Sequence, residues 1–234
     1  MNSNEYLDLT FKKSEAVLSE TLSKKTFHAN CYYHASCLIE FSNFVYDVKE
    51  KEIIKVVATQ IESSAFLCAL GLYRQGFSTL RLALEMGLGV IYFSLNKLVH
   101  HEWLLGKGDI IWSQLIDIDN GVLSTRVKKV FLDDSFNIME LNNLARETYR
   151  ELSEFVHGNQ STFSPDNLFI DYNDELANKF DILERKCSDI LFLSYFIRYH
   201  TEIPNGDKDL IRDFYIDFDY IDYVRFYFGG PKDK

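Results

Sequence analysis

The sequence predicts an all-α protein, a single-domain helical bundle, on three observations. Only 3 prolines interrupt 234 residues, so long helices can run between few loops. Hydrophobic residues make up 47% of the chain and aromatics 15%, enough apolar surface to bury a sizeable core. Those apolar residues recur at helical spacing over most of the length. No shift in composition divides the chain, so one domain is expected over 1–234, with 1–3 and 229–234 as disordered ends.

Periodicity predicts helices over 4–23, 27–48, 50–74, 77–104, 138–158 and 173–202. Between 105 and 137 the pattern is less regular, and Gly106-Lys107-Gly108-Asp109 and Asp119-Asn120-Gly121 mark turns. The short segment Val122 to Leu132 carries Arg126, Lys128 and Lys129, and Ser135 or Asn137 is placed to cap the helix that follows. Asn159 to Asn167, rich in Ser, Thr, Asn and Gln, reads as a loop.

A formal net charge of -10 excludes a protein that coats nucleic acid nonspecifically, since phosphate neutralisation needs a basic footprint. A local basic patch stays open. The first residues, Met1-Asn2-Ser3-Asn4-Glu5, lack the basic and apolar regions of a signal peptide. The longest apolar run, Leu82 to Leu95, contains Glu85 and falls short of the roughly 20 residues of a membrane span. It reads as a buried core helix, and a cytoplasmic protein without membrane contact is expected. The cysteines at 31, 37, 68 and 187 match no zinc spacing and read as reduced, buried hydrophobes. His100-His101-Glu102 is no better as a metal site, because adjacent helical residues diverge by about 100° and the sequence offers no third ligand. No cofactor or metal is expected.

The helix predicted over 138–158 has two faces. Ile138, Leu141, Ala145, Leu152 and Phe155 form an apolar stripe that must pack on the bundle. Asn143, Arg146, Glu147, Arg150, Ser153, Glu154 and His157 fall on the other side. Arg150 and His157 are separated by about 20° around the axis and about 10 Å along it, with Ser153 and Glu154 between them. Read plainly, Glu147, Arg150 and Glu154 form a solvated ion-pair ladder, and His157-Gly158 is an ordinary helix stop.

The whole phrase says more. Tyr149-Arg150-Glu151-Leu152-Ser153-Glu154-Phe155-Val156-His157-Gly158 resembles the signature of the HEPN superfamily (higher eukaryotes and prokaryotes nucleotide-binding). Its ribonuclease members carry Arg, four to six residues, then His near a helix end. Upstream, Tyr73-Arg74-Gln75-Gly76-Phe77-Ser78-Thr79-Leu80-Arg81-Leu82-Ala83-Leu84-Glu85 is similar to the central helix of bacterial HEPN-like proteins, where a Leu-Arg-x-x-x-Glu phrase precedes the Arg-His helix. The resemblance implies an all-α HEPN-like bundle that forms a homodimer, bringing two Arg-His helices into one cleft where RNA is cut without a metal. It also implies a role as a toxin or antiviral defence effector, with RNA such as tRNA as substrate and an antitoxin or regulatory protein as partner. Only Arg150 and His157 carry over as catalytic residues. The position after the Arg, often Asn, Asp or His in active members, is Glu151 here.

The chemistry suits these residue types. RNA cleavage by its own 2′-hydroxyl needs a base, and imidazole, with an unperturbed pKa of about 6.5, serves at neutral pH. The phosphorane gathers negative charge, which a forked guanidinium complements better than an ammonium does. Other residues have supporting readings. Arg81 and Glu85 form an i, i+4 pair that either ties the bundle or orients the site, and Glu154 and Ser153 lie beside the catalytic pair. Arg126, Lys128, Lys129 and Arg146 are either an RNA-binding patch or solvated charges. Toward the C-terminus, acids from Asp207 to Asp222 alternate with aromatics from Phe214 to Phe228, which either dock a partner or close the core. The alternative to the enzyme is a noncatalytic HEPN-like dimeric module that binds RNA, a nucleotide or a protein.

Overall fold

The structure, a computed structural model, describes residues 2–132, 136–157 and 170–231, and among these there are helices and no strand. The long elements are α1 (Ser3–Lys24), α2 (Phe27–Ser42), α3 (Val48–Ala69), α4 (Tyr73–Leu95), α8 (Ile138–His157) and α9 (Asp174–Tyr199). Between α4 and α8 come α5 (Lys97–Leu104), α6 (Trp112–Leu115) and α7 (Thr125–Phe131). After α9, short 3-10 turns, α10 (Lys208–Ile211) and α11 (Asp222–Tyr227) complete the chain.

Several boundaries differ from those the periodicity predicts, each for a local reason. The second helix stops at Ser42, and a bend carries the chain to Asp47, whose carboxylate accepts the Lys49 and Glu50 amides at 2.9 and 3.2 Å and starts α3. The third ends at Ala69 because Gly71 takes φ 83°, with its amide and that of Leu72 returning to the Cys68 and Leu67 carbonyls. The expected helix over 77–104 is two, α4 and α5, broken where Asn96 leaves helical geometry. Asn137 caps α8 through the Met139 amide at 3.2 Å, while Ser135 lies outside the described residues, as does the loop expected over 159–167. Of the ends expected to be disordered, Asn2 and Ser3 form the cap and first residue of α1, and Arg225 donates to the Pro231 carbonyl. Met1 and 232–234 fall outside the description.

Helix α9 runs through the middle of the bundle. Its fully buried Phe180, Cys187, Leu191, Tyr195 and Tyr199 meet α2, α3, α4 and α8. Phe27 of α2 packs edge-on against Phe180, and Phe41 stacks on Tyr195. Helices α3 and α4 form the tightest pair, because Gly76 lets them close: a Cβ there would lie 2.9 Å from the Ser64 carbonyl oxygen. All four cysteines are free and buried, and burial pushes the Cys68 and Cys187 thiols well above their ordinary range, so they act as small hydrophobes.

One polar cluster is sealed in this core and a second opens from it to the surface at Lys97. Glu184 of α9 accepts from Ser188 and lies 2.8 Å from Nδ1 of His34 on α2. Glu50 of α3 accepts from the Tyr199 hydroxyl and from the Lys97 ammonium, which also reaches Asp47. Helix α4 is long and apolar enough by composition to cross a membrane, and half of that apolar stretch is buried inside the bundle. Its contacts with α3, α8 and α9 account for the apolar residues.

The C-terminal acidic and aromatic segment folds onto the end of α9. Tyr215, Phe218, Ile221 and Val224 are buried, and Phe196 is surrounded by Tyr215, Tyr223, Tyr227 and Phe228. These rings close the core, while Tyr220, Ile216 and Phe226 remain exposed.

Candidate functional site

Helix α8 is held on two sides. Its apolar stripe, Ile138, Leu141, Ala145, Leu152 and Phe155, is buried as the periodicity predicts. Against α4 the two helices run antiparallel: Phe155 stacks on Phe77 at 3.9 Å, Tyr149 meets Arg81 and Glu85, and the Val156 carbonyl accepts from Arg74 at 3.4 Å. Against α9, Glu151 pairs with Lys186 at 3.1 Å, and the Lys179 ammonium lies 5.1 Å from the centre of the Phe155 ring.

The solvent stripe carries Asn143, Arg146, Glu147, Arg150 and His157, all exposed, with Ser153 and Glu154 partly covered. The side chains of Arg150 and His157 make no hydrogen bond or ion pair with any other described residue. His157 is the last residue of α8, and Gly158 beyond it lies outside the described residues. Ser153 donates to the Tyr149 carbonyl at 2.7 Å, so its hydroxyl proton is committed to its own helix.

Glu151, the departure from the HEPN-like phrase, projects toward α9, where Lys186 neutralises it. Its charge is directed away from the stripe that holds Arg150 and His157.

Arg81 and Glu85 lie 4.0 Å apart and face α8 rather than solvent. The Arg81 guanidinium sits over the Tyr149 ring, 4.5 Å from its centre, and also donates to the Tyr149 hydroxyl. Burial raises the Glu85 carboxyl above the ordinary range, with Arg81 and Tyr149 pulling the other way. The pair thus orients Tyr149, one residue before Arg150, and belongs to the α4–α8 seam.

The four basic candidates do not form one patch. Arg126, Lys128 and Lys129 lie on α7, and Arg126 is tied to the Asn120 side chain at 2.8 Å. The chain just before α7 docks near the start of α8, through the Leu123 carbonyl and Asn142, whereas Arg150 and His157 lie toward its other end. Arg146 stands between the two groups. It donates to the Asn142 side chain at 2.7 Å and to the Ile116 carbonyl at 2.6 Å. Asn142 is fully buried and bound to the Ile116 and Leu123 carbonyls, so it fixes the guanidinium in place.

Beside Arg146 lies an open cleft of about 460 Å³ lined by Trp112, Ser113, Ile116, Asp117, Ile118, Asn143 and Arg146. The Trp112 indole stacks on Tyr149 with ring centres 3.7 Å apart and planes within 6°. Sequence reading missed Trp112 because a four-residue helix in a loop has no periodicity to mark it, and it placed Asn143 on the polar stripe without a role because the cleft beside it forms only where α6 meets α8. It also missed Arg74, which lies in the quoted upstream phrase and reaches the end of α8.

The chain also assembles a grouping that spacing alone does not reveal. One ligand atom each of Asp47, Glu50 and His100 lie within 4.8 Å of one another. The Lys97 ammonium bridges both carboxylates, so the cation is supplied by the chain itself. This cluster sits where α3 and α5 begin, at the far end of α4 from the Arg81 contact.

No protein-family model, characterised protein or solved structure matches the chain. The class that fold and site define is a helical bundle presenting an Arg/His stripe and a neighbouring aromatic cleft.

Proposed function

We propose that this chain is a metal-independent endoribonuclease of HEPN-like type, acting in the cytoplasm as a toxin or antiviral defence effector. Its site would be composite, with Arg150 of one copy and His157 of another meeting in a homodimer. The observation that carries the reading is that Arg150 and His157 share one exposed stripe of a firmly packed helix with neither side chain engaged by another described residue. The pairing of Glu151 with Lys186 supports it by drawing the one discordant charge aside.

In this mechanism the His157 imidazole takes the proton of a ribose 2′-hydroxyl, and the resulting oxygen attacks the adjacent phosphorus. Arg150 pairs with the nonbridging oxygens as their charge builds. The bond from phosphorus to the 5′-oxygen breaks, and that oxygen leaves with a proton from water. The products are a 2′,3′-cyclic phosphate and a 5′-hydroxyl. About 10 Å of helix separates the two side chains in one copy, which is the physical reason for a second copy.

The test is incubation of the purified protein with total tRNA and with single-stranded RNA in EDTA, analysing the product ends. Cleavage that persists in chelator and leaves cyclic phosphate is expected. Cleavage that stops in EDTA and returns with magnesium overturns the mechanism. A second reading, a module that binds RNA or a nucleotide without cutting it, is favoured by the Trp112 cleft, and no cleavage under any condition would leave that reading standing.

A further inference from the structure

The cleft beside Arg146 has a chemistry of its own, and its interpretation rests on the RNA reading of the stripe next to it. One wall is aromatic. Tyr149 covers one face of the Trp112 indole, and Trp112 also lines the cleft. The polar groups are set in place beforehand. Arg146 is clamped through Nε and Nη2, leaving Nη1 without a partner among the described residues. Asp117 spends Oδ1 on the Asp119 and Asn120 amides at 3.0 and 2.7 Å, leaving Oδ2 for another donor. Asn143 offers an amide that no described residue engages.

A flat aromatic wall edged by a fixed N–H donor, a carboxylate oxygen and an amide suits a nucleobase more than a sugar or a bare phosphate. The carboxylate disfavours phosphate inside the cleft. It favours a base with N–H donors on its edge, and guanine adds the O6 acceptor that Arg146 can meet. Asn143 lies two turns before Arg150 on the same stripe, about 10 Å away, so a base seated here leaves its phosphate toward Arg150.

We propose that the cleft formed by Trp112, Asp117, Asn143 and Arg146 is a nucleobase subsite, selective for guanine, that positions single-stranded RNA along α8. The probe is the 5′-mononucleotide. In a Trp103→Phe protein Trp112 is the only indole, and its fluorescence reports occupancy. Calorimetric titration of the unmodified protein checks that substitution. GMP should quench Trp112 saturably, UMP about tenfold more weakly, and ribose 5-phosphate not at all. Asn143→Ala, an exposed change, and Asp117→Asn should each weaken GMP by about tenfold.

No saturable response to any mononucleotide, or ribose 5-phosphate acting as well as GMP, overturns the proposal. The two readings fail separately. GMP binding in a protein that never cuts RNA supports the subsite while the nuclease reading falls. RNA cleavage in a protein that binds no mononucleotide overturns the subsite while the nuclease reading stands.

Discussion

Arginine use separates structural from available cations. Arg74, Arg81, Arg126, Arg146, Arg185, Arg198 and Arg225 all donate to other described residues, whereas Arg150 and Arg212 do not. The histidines divide in a similar way. His34, His100 and His200 are buried in the core, His28 is half-buried, and His101 and His157 stand exposed in the last turns of α5 and α8. A buried histidine is a packing element first, but an exposed one can exchange protons with a substrate. The first residue-scale prediction follows from that exposure. His157→Ala should remove at most about 1 kcal/mol of stability, the size of a last-turn dipole interaction, while reducing cleavage by roughly a hundredfold or more. Arg150→Ala should behave the same way. Glu147→Ala, one turn earlier on the stripe, should change cleavage by less than about threefold. Melting temperature and RNA cleavage measured on the three proteins decide the matter, and wild-type cleavage by His157→Ala would remove the enzyme reading.

At the scale of elements, the C-terminal segment depends on one buried ring. His200 lies 2.9 Å from the Phe196 carbonyl through Nδ1 and 3.0 Å from the Tyr223 hydroxyl through Nε2. The carbonyl can only accept, so Nδ1 carries the proton and Nε2 accepts from Tyr223. The Tyr227 hydroxyl donates to the His200 carbonyl, which ties α11 to the end of α9. Burial lowers the His200 pKa below its ordinary value, the Phe196 and Ile197 backbone opposes this, and Lys208 adds to it. The unfolded chain therefore takes up this proton first as pH falls. The contribution is fully present above about 6.5 and is lost as pH drops from there through the lowered folded value. The urea midpoint should fall between pH 7.5 and about 5.5, and His200→Gln should flatten that fall. An equal pH dependence in the variant would refute the assignment. The sequence reveals α8 and its buried stripe because an apolar repeat records burial directly. It cannot reveal that Tyr215 and Tyr223 close the core around Phe196, or that Glu50 meets Lys97 and Tyr199, since such contacts join residues whose local pattern is unremarkable. The break at Asn96 is hidden for a related reason: apolar spacing continues across it while the backbone turns. In the site, the Arg150/His157 stripe is visible from spacing. The Trp112 wall and the Asn142 clamp on Arg146 exist only once α6 and α8 meet.

For the whole molecule the question is how one helix supplies both halves of a site. Large exposed apolar residues gather on α1 and the adjoining surfaces of α2 and α3, among them Leu7, Phe11, Tyr32 and Phe66. The stripe of Arg150 and His157 is polar, so its burial between copies would rest on charge and hydrogen bonding more than on apolar area. A composite site makes a prediction that no single-chain site shares. If each site takes Arg150 from one copy and His157 from the other, Arg150→Ala and His157→Ala proteins are each inactive alone. A mixed dimer then has one site lacking both groups and one site with both intact. Random exchange makes about half of the dimers mixed, so the mixture should regain roughly a quarter of the wild-type activity. Co-expression or a denature-and-refold step ensures exchange, and light scattering at micromolar concentration should show a dimer in all three samples. A site contained within one chain would give a mixture as inactive as either parent. That result, obtained with dimers confirmed, would overturn the composite arrangement while leaving Arg150 and His157 as the residues to explain.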